Sequence, residues 1–215
     1  MIDNLIKRYP DLIGIKDELV SVVDMMEDTY KKGGKILACG NGGSCADCEH
    51  IVGELMKGFM SHRTLNEDEI KMFDGIAENP AEFAKYIQNT IPAISLPSQT
   101  AVISAFANDV NPDMVYAQLA FGYGRENDLI FCLSTSGNSK NVVNAAIAAK
   151  ARKMKTVALT GAKESKLSAI CDVTLKAPST ETYIVQEYHL PMYHYLCAEL
   201  EKRLFANCNS KLKQN

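Results

Sequence analysis

Short apolar runs alternate along the chain with longer segments in which apolar residues recur every three or four positions. The clearest apolar runs are residues 35–39, 93–96, 129–133, 155–160 and 172–176. Short apolar runs predict strands buried on both faces, and three- or four-residue spacing predicts helices. Strands that alternate with helices predict a parallel sheet with helices on both sides. The expected fold class is therefore α/β.

The segments with helical spacing include residues 2–32, 44–58, 100–107, 113–123, 139–152 and 181–205. Residues 60–90 are rich in charged side chains, but their apolar positions keep helical spacing, so we expect an ordered helical insertion there. At 215 residues the chain fits one α/β domain, 1–215. That domain would comprise an N-terminal helical segment (1–32), the insertion (60–90) and a closing helix (181–205), which Pro191 should kink or locally open.

Two loops rich in glycine and serine, residues 40–44 (the first loop) and 134–139 (the second loop), each follow a predicted strand and precede a predicted helix. Glycine allows tight turns that expose several backbone N–H groups, hydroxyls add donors, and a helix N-terminus adds partial positive charge. Two such loops at the carboxyl edge of one sheet would form a phosphate cradle. Ser139 could also be a simple N-cap, and Ser134 a strand-end hydroxyl. The candidate phosphate-binding residues are Asn41, Gly42, Gly43, Ser44, Ser134, Thr135, Ser136 and Ser139.

Composition narrows the class of partner. The net charge is −3, tryptophan is absent, and lysine and arginine are scattered, so nucleic-acid binding has little support. The sequence has no 18-residue apolar stretch and no signal-peptide pattern, so we expect no membrane association. The seven cysteines are odd in number and several lie in apolar runs. Buried free thiols and a cytoplasmic location are the natural expectation.

His50 and Glu54 are four residues apart on the helix after the first loop, so they share one face. Imidazole and carboxylate form a partial zinc ligand set, but spacing alone favours a solvated surface pair. Cys45 and Cys48 offer a competing metal site. The chain has no second Cys-x-x-Cys to complete a four-sulfur site, so we interpret both cysteines as incidental.

Gln186 and His194 are eight residues apart on the closing helix. Eight residues leave them two turns apart and about 80° out of alignment, so they can line one site without touching. The alternative is a polar stripe on an amphipathic helix, with Tyr188, His189 and Tyr193 as packing or interface residues.

The loops and these pairs together resemble the SIS-domain family of phosphosugar isomerases, and within it the bacterial phosphoheptose isomerases. The resemblance runs from about residue 20 to 205. It implies a flavodoxin-like three-layer αβα sandwich and a homotetramer with active sites where subunits meet. It also implies conversion of sedoheptulose 7-phosphate to D-glycero-D-manno-heptose 7-phosphate, an aldose–ketose isomerisation that begins heptose biosynthesis. The matching residues are Cys39–Ser44, Asp47, His50, Glu54, Asn108, Asp109, Ser134–Ser139, Leu159–Gly161, Gln186 and His194.

The resemblance also assigns roles. Glu54 would be the catalytic base and His194 the acid in proton transfer through an enediol. One zinc ion per subunit would be held by His50, Glu54, Gln186 and His194. Gln186 and Asp109 would contact the sugar phosphate, although a turn-capping role for Asp109 is nearly as well supported.

The chain departs from the family pattern mainly in the insertion after Glu54. Phosphoheptose isomerases carry an arginine near this point, and Lys57 or Arg63 could replace its charge. The insertion leaves isomerisation of another phosphosugar open. A non-catalytic SIS regulator that binds sugar phosphate or a replication-initiation protein is a further alternative. The Glu54 and His194 pair argues against a regulator, and the lack of an attached DNA-binding segment argues against a transcriptional sensor.

Overall fold

A computed structural model describes residues 1–206 of the chain. Cys208 and the rest of residues 207–215 lie outside the described part. The strands are β1 (Ile36–Cys39), β2 (Ala93–Ser95), β3 (Leu129–Leu133), β4 (Lys155–Thr160) and β5 (Val173–Lys176). The helices are α1 (Ile2–Arg8), α2 (Lys16–Lys31), α3 (Gly43–Met56), α4 (Glu67–Lys71), α5 (Pro80–Ala84), α6 (Thr100–Asp109), α7 (Val115–Tyr123), α8 (Lys140–Ala151), α9 (Lys166–Ile170) and α10 (Thr182–Phe205).

The five strands form one parallel sheet in the order β2-β1-β3-β4-β5. This is the strand order of flavodoxin-like folds, in which the chain reverses direction across the sheet between β1 and β3. All four residues of β1 and all five of β3 are buried, as a sheet covered on both faces requires. The α/β prediction is confirmed, and each predicted strand agrees with the observed one to within a residue at either end.

Helices cover both faces of the sheet, because successive strand residues point to opposite sides. Ile36 and Ala38 of β1 join a core with residues from α2, α3 and α10. Leu37 and Cys39 join the opposite core with α7 and α8. The result is the three-layer αβα sandwich.

The N-terminal helical segment is divided. Helix α1 ends before Tyr9, a 3₁₀ segment spans Pro10–Ile15, and α2 follows. Proline lacks a backbone N–H and disfavours helical geometry in the residue before it, so Pro10 ends α1 and begins the 3₁₀ segment.

The insertion at 60–90 is less helical than the spacing predicts. Its helices α4 and α5 have five residues each. Asn66 and Asn79 cap them, and Gly75 turns the chain between them with a φ of +73°. Only Ala84 of these two described helices is buried, so neither gains the apolar burial that would extend it.

Two elements of the C-terminal third differ from the sequence-based expectation. Helix α9 follows β4 where no helix was expected, and a capping box at Ser165 begins it. Helix α10 runs from Thr182 to Phe205 without interruption at Pro191. No helix within residues 1–206 combines the length and apolar character needed to cross a bilayer.

Candidate functional site

The two glycine- and serine-rich loops lie side by side at the carboxyl edge of the sheet. Cys39 and Cys132 are register partners at the ends of the adjacent strands β1 and β3, so both loops leave the sheet at one level. The side-chain amides of Asn41 and Asn141 exchange two hydrogen bonds of 2.8 and 2.9 Å, which join the first loop to the start of α8. This is the edge at which open α/β sheets bind ligands.

The first loop depends on glycine at two positions. Gly42, the N-cap of α3, has a φ of +57°, a value that side-chain-bearing residues rarely adopt. A Cβ added to Gly43 would lie 2.5 Å from Nε2 of Gln186. The glycines therefore allow α10 to approach the start of α3, and they place the Gln186 amide against the first loop. Ser44, in the first turn of α3, is buried.

Hydroxyl groups cluster in the second loop. Oγ of Ser134 lies 3.0 Å from Oγ of Ser139 and 3.5 Å from Oγ of Ser136. Ser139 is the N-cap of α8 by position, but its side chain makes no capping hydrogen bond and turns toward Ser134 instead. The loop thus presents several hydroxyls in one place, which suits an anion such as phosphate.

A cleft of about 210 Å³ adjoins this loop. Lys163 lines the cleft beside Thr135 and Ser136 and contributes a cation that sequence reasoning missed. The signal was available, since Lys163 lies just after β4, whose carboxyl end is at the same edge of the sheet. The full lining is Thr135, Ser136, Asn138, Gly161, Ala162, Lys163, Glu164 and Thr180.

A second group of side chains, which we call the His50 cluster (His50, Glu54, His194), lies where α3 packs on α10. His50 Nε2 is 3.2 Å from Glu54 Oε1 and 3.3 Å from His194 Nε2. The Glu54 side chain is 13% exposed, so the pair is not the fully solvated one that spacing alone favours. Two imidazoles and a carboxylate thus converge on one point.

The environment of His194 determines its charge. Burial, followed by the neighbouring His50, lowers the pKa of His194. The imidazole is therefore mainly neutral at neutral pH, and it holds one N–H and one lone pair. A neutral imidazole can still donate a hydrogen bond or a proton to a reacting oxygen.

Lys57, rather than Arg63, supplies a positive charge at the cluster. Lys57 Nζ donates to Glu54 Oε2 over 3.1 Å and is largely exposed. Arg63 is fully buried and its guanidinium is bound to Glu201 Oε1 at 2.8 Å. It also donates to the carbonyl oxygens of Leu55 and Glu54, which are at the end of α3. Arg63 therefore has a structural role.

The His50 cluster fits part of a zinc site. In a tetrahedral site with Zn–N bonds of about 2.0–2.1 Å, two ligand atoms lie about 3.3–3.4 Å apart. The 3.3 Å between the two Nε2 atoms has this value. Among residues 1–206, no three His, Cys, Asp or Glu side chains are already arranged to coordinate a metal. Side chains would have to move to complete the coordination. Gln186, the fourth expected ligand, is two turns before His194 on α10.

Tyr193, for which the sequence suggested only packing or an interface, contacts His50 and links it to Asp47. Tyr193 Oη lies 3.0 Å from His50 Nδ1 and donates to Asp47 Oδ1 over 3.1 Å. Burial raises the pKa of the Asp47 carboxyl, and it also raises that of the Tyr193 hydroxyl. Tyr193 is one of several aromatic residues on its helix, so the sequence gave no signal that it contacts His50.

The two cysteines near the first loop have no metal partner set among the residues described. Cys48 is buried, and burial raises the pKa of its thiol well above the usual value. A thiol that keeps its proton is a poor metal ligand.

His189, left without a role by the sequence, is buried and lies 3.3 Å from the Thr160 carbonyl. Burial lowers the pKa of His189 to about 4, so this histidine is a neutral core residue.

In the described chain the Asp109 carboxylate is hydrogen-bonded to its neighbour Asn108 and not to the His50 cluster. Asp109 is the last residue of α6 and is exposed. Helix α6 (TAVISAFAND) is mostly apolar, yet none of its ten residues is buried in the described chain. An apolar helix of this kind normally packs against another surface.

A cavity of about 290 Å³ opens beside His194 at the side facing the N-terminus. Arg8, Tyr9 and Phe59 line it together with Met60, the first residue of the insertion. The start of the insertion therefore lines a cavity that it shares with His194.

Comparison with known proteins extends these observations to the whole chain. Models of the SIS domain match residues 13–92 and 110–198. The phosphoheptose isomerase of Pelodictyon phaeoclathratiforme is 37% identical over 88% of this chain and 79% of its own. That of Helicobacter pylori is 34% identical over 97% of this chain and all of its own. The structure of the Neisseria gonorrhoeae phosphoheptose isomerase superposes with a TM-score of 0.73 at 29% identity, covering 93% of this chain and 94% of that one.

Proposed function

This chain belongs to the phosphoheptose isomerase family of SIS-domain proteins, and on that premise we propose that it interconverts sedoheptulose 7-phosphate and D-glycero-D-manno-heptose 7-phosphate. The observation that carries the proposal is the His50 cluster on the helix that begins at the phosphate loop. The enzymatic alternative of another sugar phosphate and the non-catalytic regulator have no comparable support.

The spacing of the two sites suits a long sugar phosphate. His50 is seven residues beyond Gly43 on α3, which is a rise of roughly 10 Å along the helix. A phosphate at the loops and reacting carbons at the cluster would therefore belong to opposite ends of one extended molecule. In a heptulose 7-phosphate the phosphate and the C1–C2 pair are at opposite ends.

In the proposed reaction Glu54 removes a proton from C1 of the ketose while O2 gains one, which gives the enediol. The proton is then returned to C2, and O1 loses its proton to become the aldehyde oxygen. Glu54 Oε1 and Nε2 of the neutral His194 imidazole both lie within 3.3 Å of His50 Nε2, so a base and a proton donor are both present. General acid–base catalysis of this kind contributes about 10²–10⁴-fold to rate. Lys57, bound to Glu54 Oε2, keeps that carboxylate oriented.

Zinc is part of the proposal. His50, Glu54 and His194, with Gln186 as the fourth residue, would hold one ion per subunit. Bound there, zinc would polarise the sugar carbonyl or hydroxyl. Glu54 cannot be a tight ligand and a free base at the same instant, so its coordination would be weak or transient.

We also propose the homotetramer, with sites completed between subunits. The exposed apolar surface of α6 and the position of Asp109 at its end support an interface there. Light scattering of the purified protein measures the mass of the oligomer directly.

A cytoplasmic location is supported by the six free cysteines found among the described residues.

The reaction and its metal requirement can be tested together. The purified protein is incubated with sedoheptulose 7-phosphate as isolated, after chelation and dialysis, and after zinc is restored. We expect aldoheptose 7-phosphate in the first and third samples and little in the second. Product in all three samples would remove zinc from the proposal but keep the reaction. No product in any, with sugar phosphate still raising the melting temperature, would contradict the reaction.

The second loop is tested by Ser136→Ala. Ser136 presents its hydroxyl beside the cleft, away from the His50 cluster, so its loss should weaken binding of the phosphate more than proton transfer. We expect KM to rise several-fold with kcat nearly unchanged, measured by steady-state kinetics. Ser21→Ala, on the exposed side of α2, is the matched control. An unchanged KM with a greatly reduced kcat would contradict the assignment.

A further inference from the structure

Three side chains on α3 and α10 form a chain of contacts that ends at His50. Asp47 Oδ1 accepts from Tyr193 Oη at 3.1 Å, and the same Oη lies 3.0 Å from His50 Nδ1. The Tyr193 side chain is only 1% exposed, and its ring packs edge-on against both His50 and His194. These contacts lie on the side of His50 that faces away from Glu54 and His194.

Counting hydrogens assigns the direction of each bond. Tyr193 has a single hydroxyl hydrogen, and it donates that hydrogen to Asp47 Oδ1. The remaining lone pairs of Tyr193 Oη can then only accept, and the available donor is an N–H on His50 Nδ1. His50 therefore carries a hydrogen on Nδ1 and presents Nε2 to Glu54 and His194.

The position of this hydrogen determines what His50 presents to Glu54 and His194. A neutral imidazole has one lone pair, and which nitrogen holds it depends on the hydrogen bond made by the other. With Nδ1 protonated, His50 Nε2 is free to bind a proton or a metal ion between itself, Glu54 and His194. If Nδ1 lost its partner, His50 could take the other tautomer or turn its ring.

We propose that Tyr193 and Asp47 are positioning residues that hold His50 with its hydrogen on Nδ1 and its Nε2 toward the reaction site. The inference rests on the proposed function for the importance of His50, but the tautomer itself can be measured without substrate. Outer hydrogen bonds of this kind orient ligating histidines, and their loss typically costs about 10–100-fold in metal affinity or activity.

The test compares wild type, Tyr193→Phe and Asp47→Asn, with Tyr195→Phe as the control. Tyr195 is a buried tyrosine two residues further along the same helix, and Tyr193→Phe keeps the aromatic ring. Long-range ¹H–¹⁵N spectra at pH 8 report the tautomer of His50 in the metal-free and the zinc-loaded protein, with signals assigned through single histidine variants. Competition with a chelator gives the zinc affinity.

We expect His50 to be protonated on Nδ1 in wild type and in Tyr195→Phe. In Tyr193→Phe and Asp47→Asn we expect a mixed or reversed tautomer, about 10–100-fold weaker zinc binding, and a lower kcat with little change in KM. A wild-type His50 protonated on Nε2 would overturn the inference, as would a Tyr193→Phe protein with unchanged tautomer and zinc affinity. Because the spectra need no turnover, either result stands whether or not the protein isomerises heptose phosphate.

Discussion

Replacing Glu54 by glutamine should reduce kcat by about 10²–10⁴-fold while leaving sugar-phosphate binding nearly intact. Glutamine has nearly the same size and can still contact His50 Nε2, but an amide cannot accept a proton from carbon. The first phosphate-binding loop is at the other end of α3 and the second lies between β3 and α8, so both should be unaffected. Steady-state kinetics give kcat, and calorimetric titration with the substrate gives the dissociation constant.

Two controls make the Glu54 result specific. Glu49→Gln removes a carboxylate from an exposed position of the same helix and should leave kcat unchanged. Metal analysis of the Glu54→Gln protein separates the loss of a base from the loss of bound zinc. A Glu54→Gln enzyme that retains zinc and works within a few-fold of wild type would remove Glu54 from the role of base.

The largest effect on stability should come from Arg63→Ala. Arg63 and Glu201 are both buried and joined at 2.8 Å, and Glu201 also accepts from the backbone N–H groups of Phe59 and Met60. Removing the guanidinium leaves a buried carboxylate without its charge partner, which costs about 3–5 kcal/mol in free energy of unfolding. The carbonyl groups of Leu55 and Glu54 would lose their donors as well.

Urea denaturation followed by circular dichroism, at fixed protein concentration, measures this loss. Lys71→Ala removes a cation whose partner Asp68 is on the surface of the same insertion, and it should change stability by less than about 1 kcal/mol. If Arg63→Ala were no less stable than Lys71→Ala, the buried pair could not be what holds the insertion to the end of α3. Loss of activity beyond the loss of folded protein would show that Arg63 also fixes the end of α3 near Glu54.

The sequence was sufficient for the sheet and for the loops. Uninterrupted apolar runs such as residues 129–133 have few alternatives to a buried strand. Glycine and serine directly after such a run predict a loop from the local sequence alone, without reference to any tertiary contact. The sequence predicted helices less reliably where apolar residues have helical spacing but are not buried in the fold. The insertion has helical spacing, but its apolar residues Met72, Ile76 and Phe83 are exposed, so the spacing produced only short helices.

By itself, then, the sequence determined the α/β class, the two loops at one sheet edge, and the positions of His50, Glu54 and His194 on their helices. These follow from periodicity within single elements. Only the tertiary structure decided that His194 meets His50, that Lys57 rather than Arg63 reaches Glu54, and that Tyr193 links His50 to Asp47. Each of these contacts joins side chains whose distance depends on how α3 packs on α10 or on how the chain turns after α3. Such distances arise from the packing of the whole core, which no local pattern of residues records.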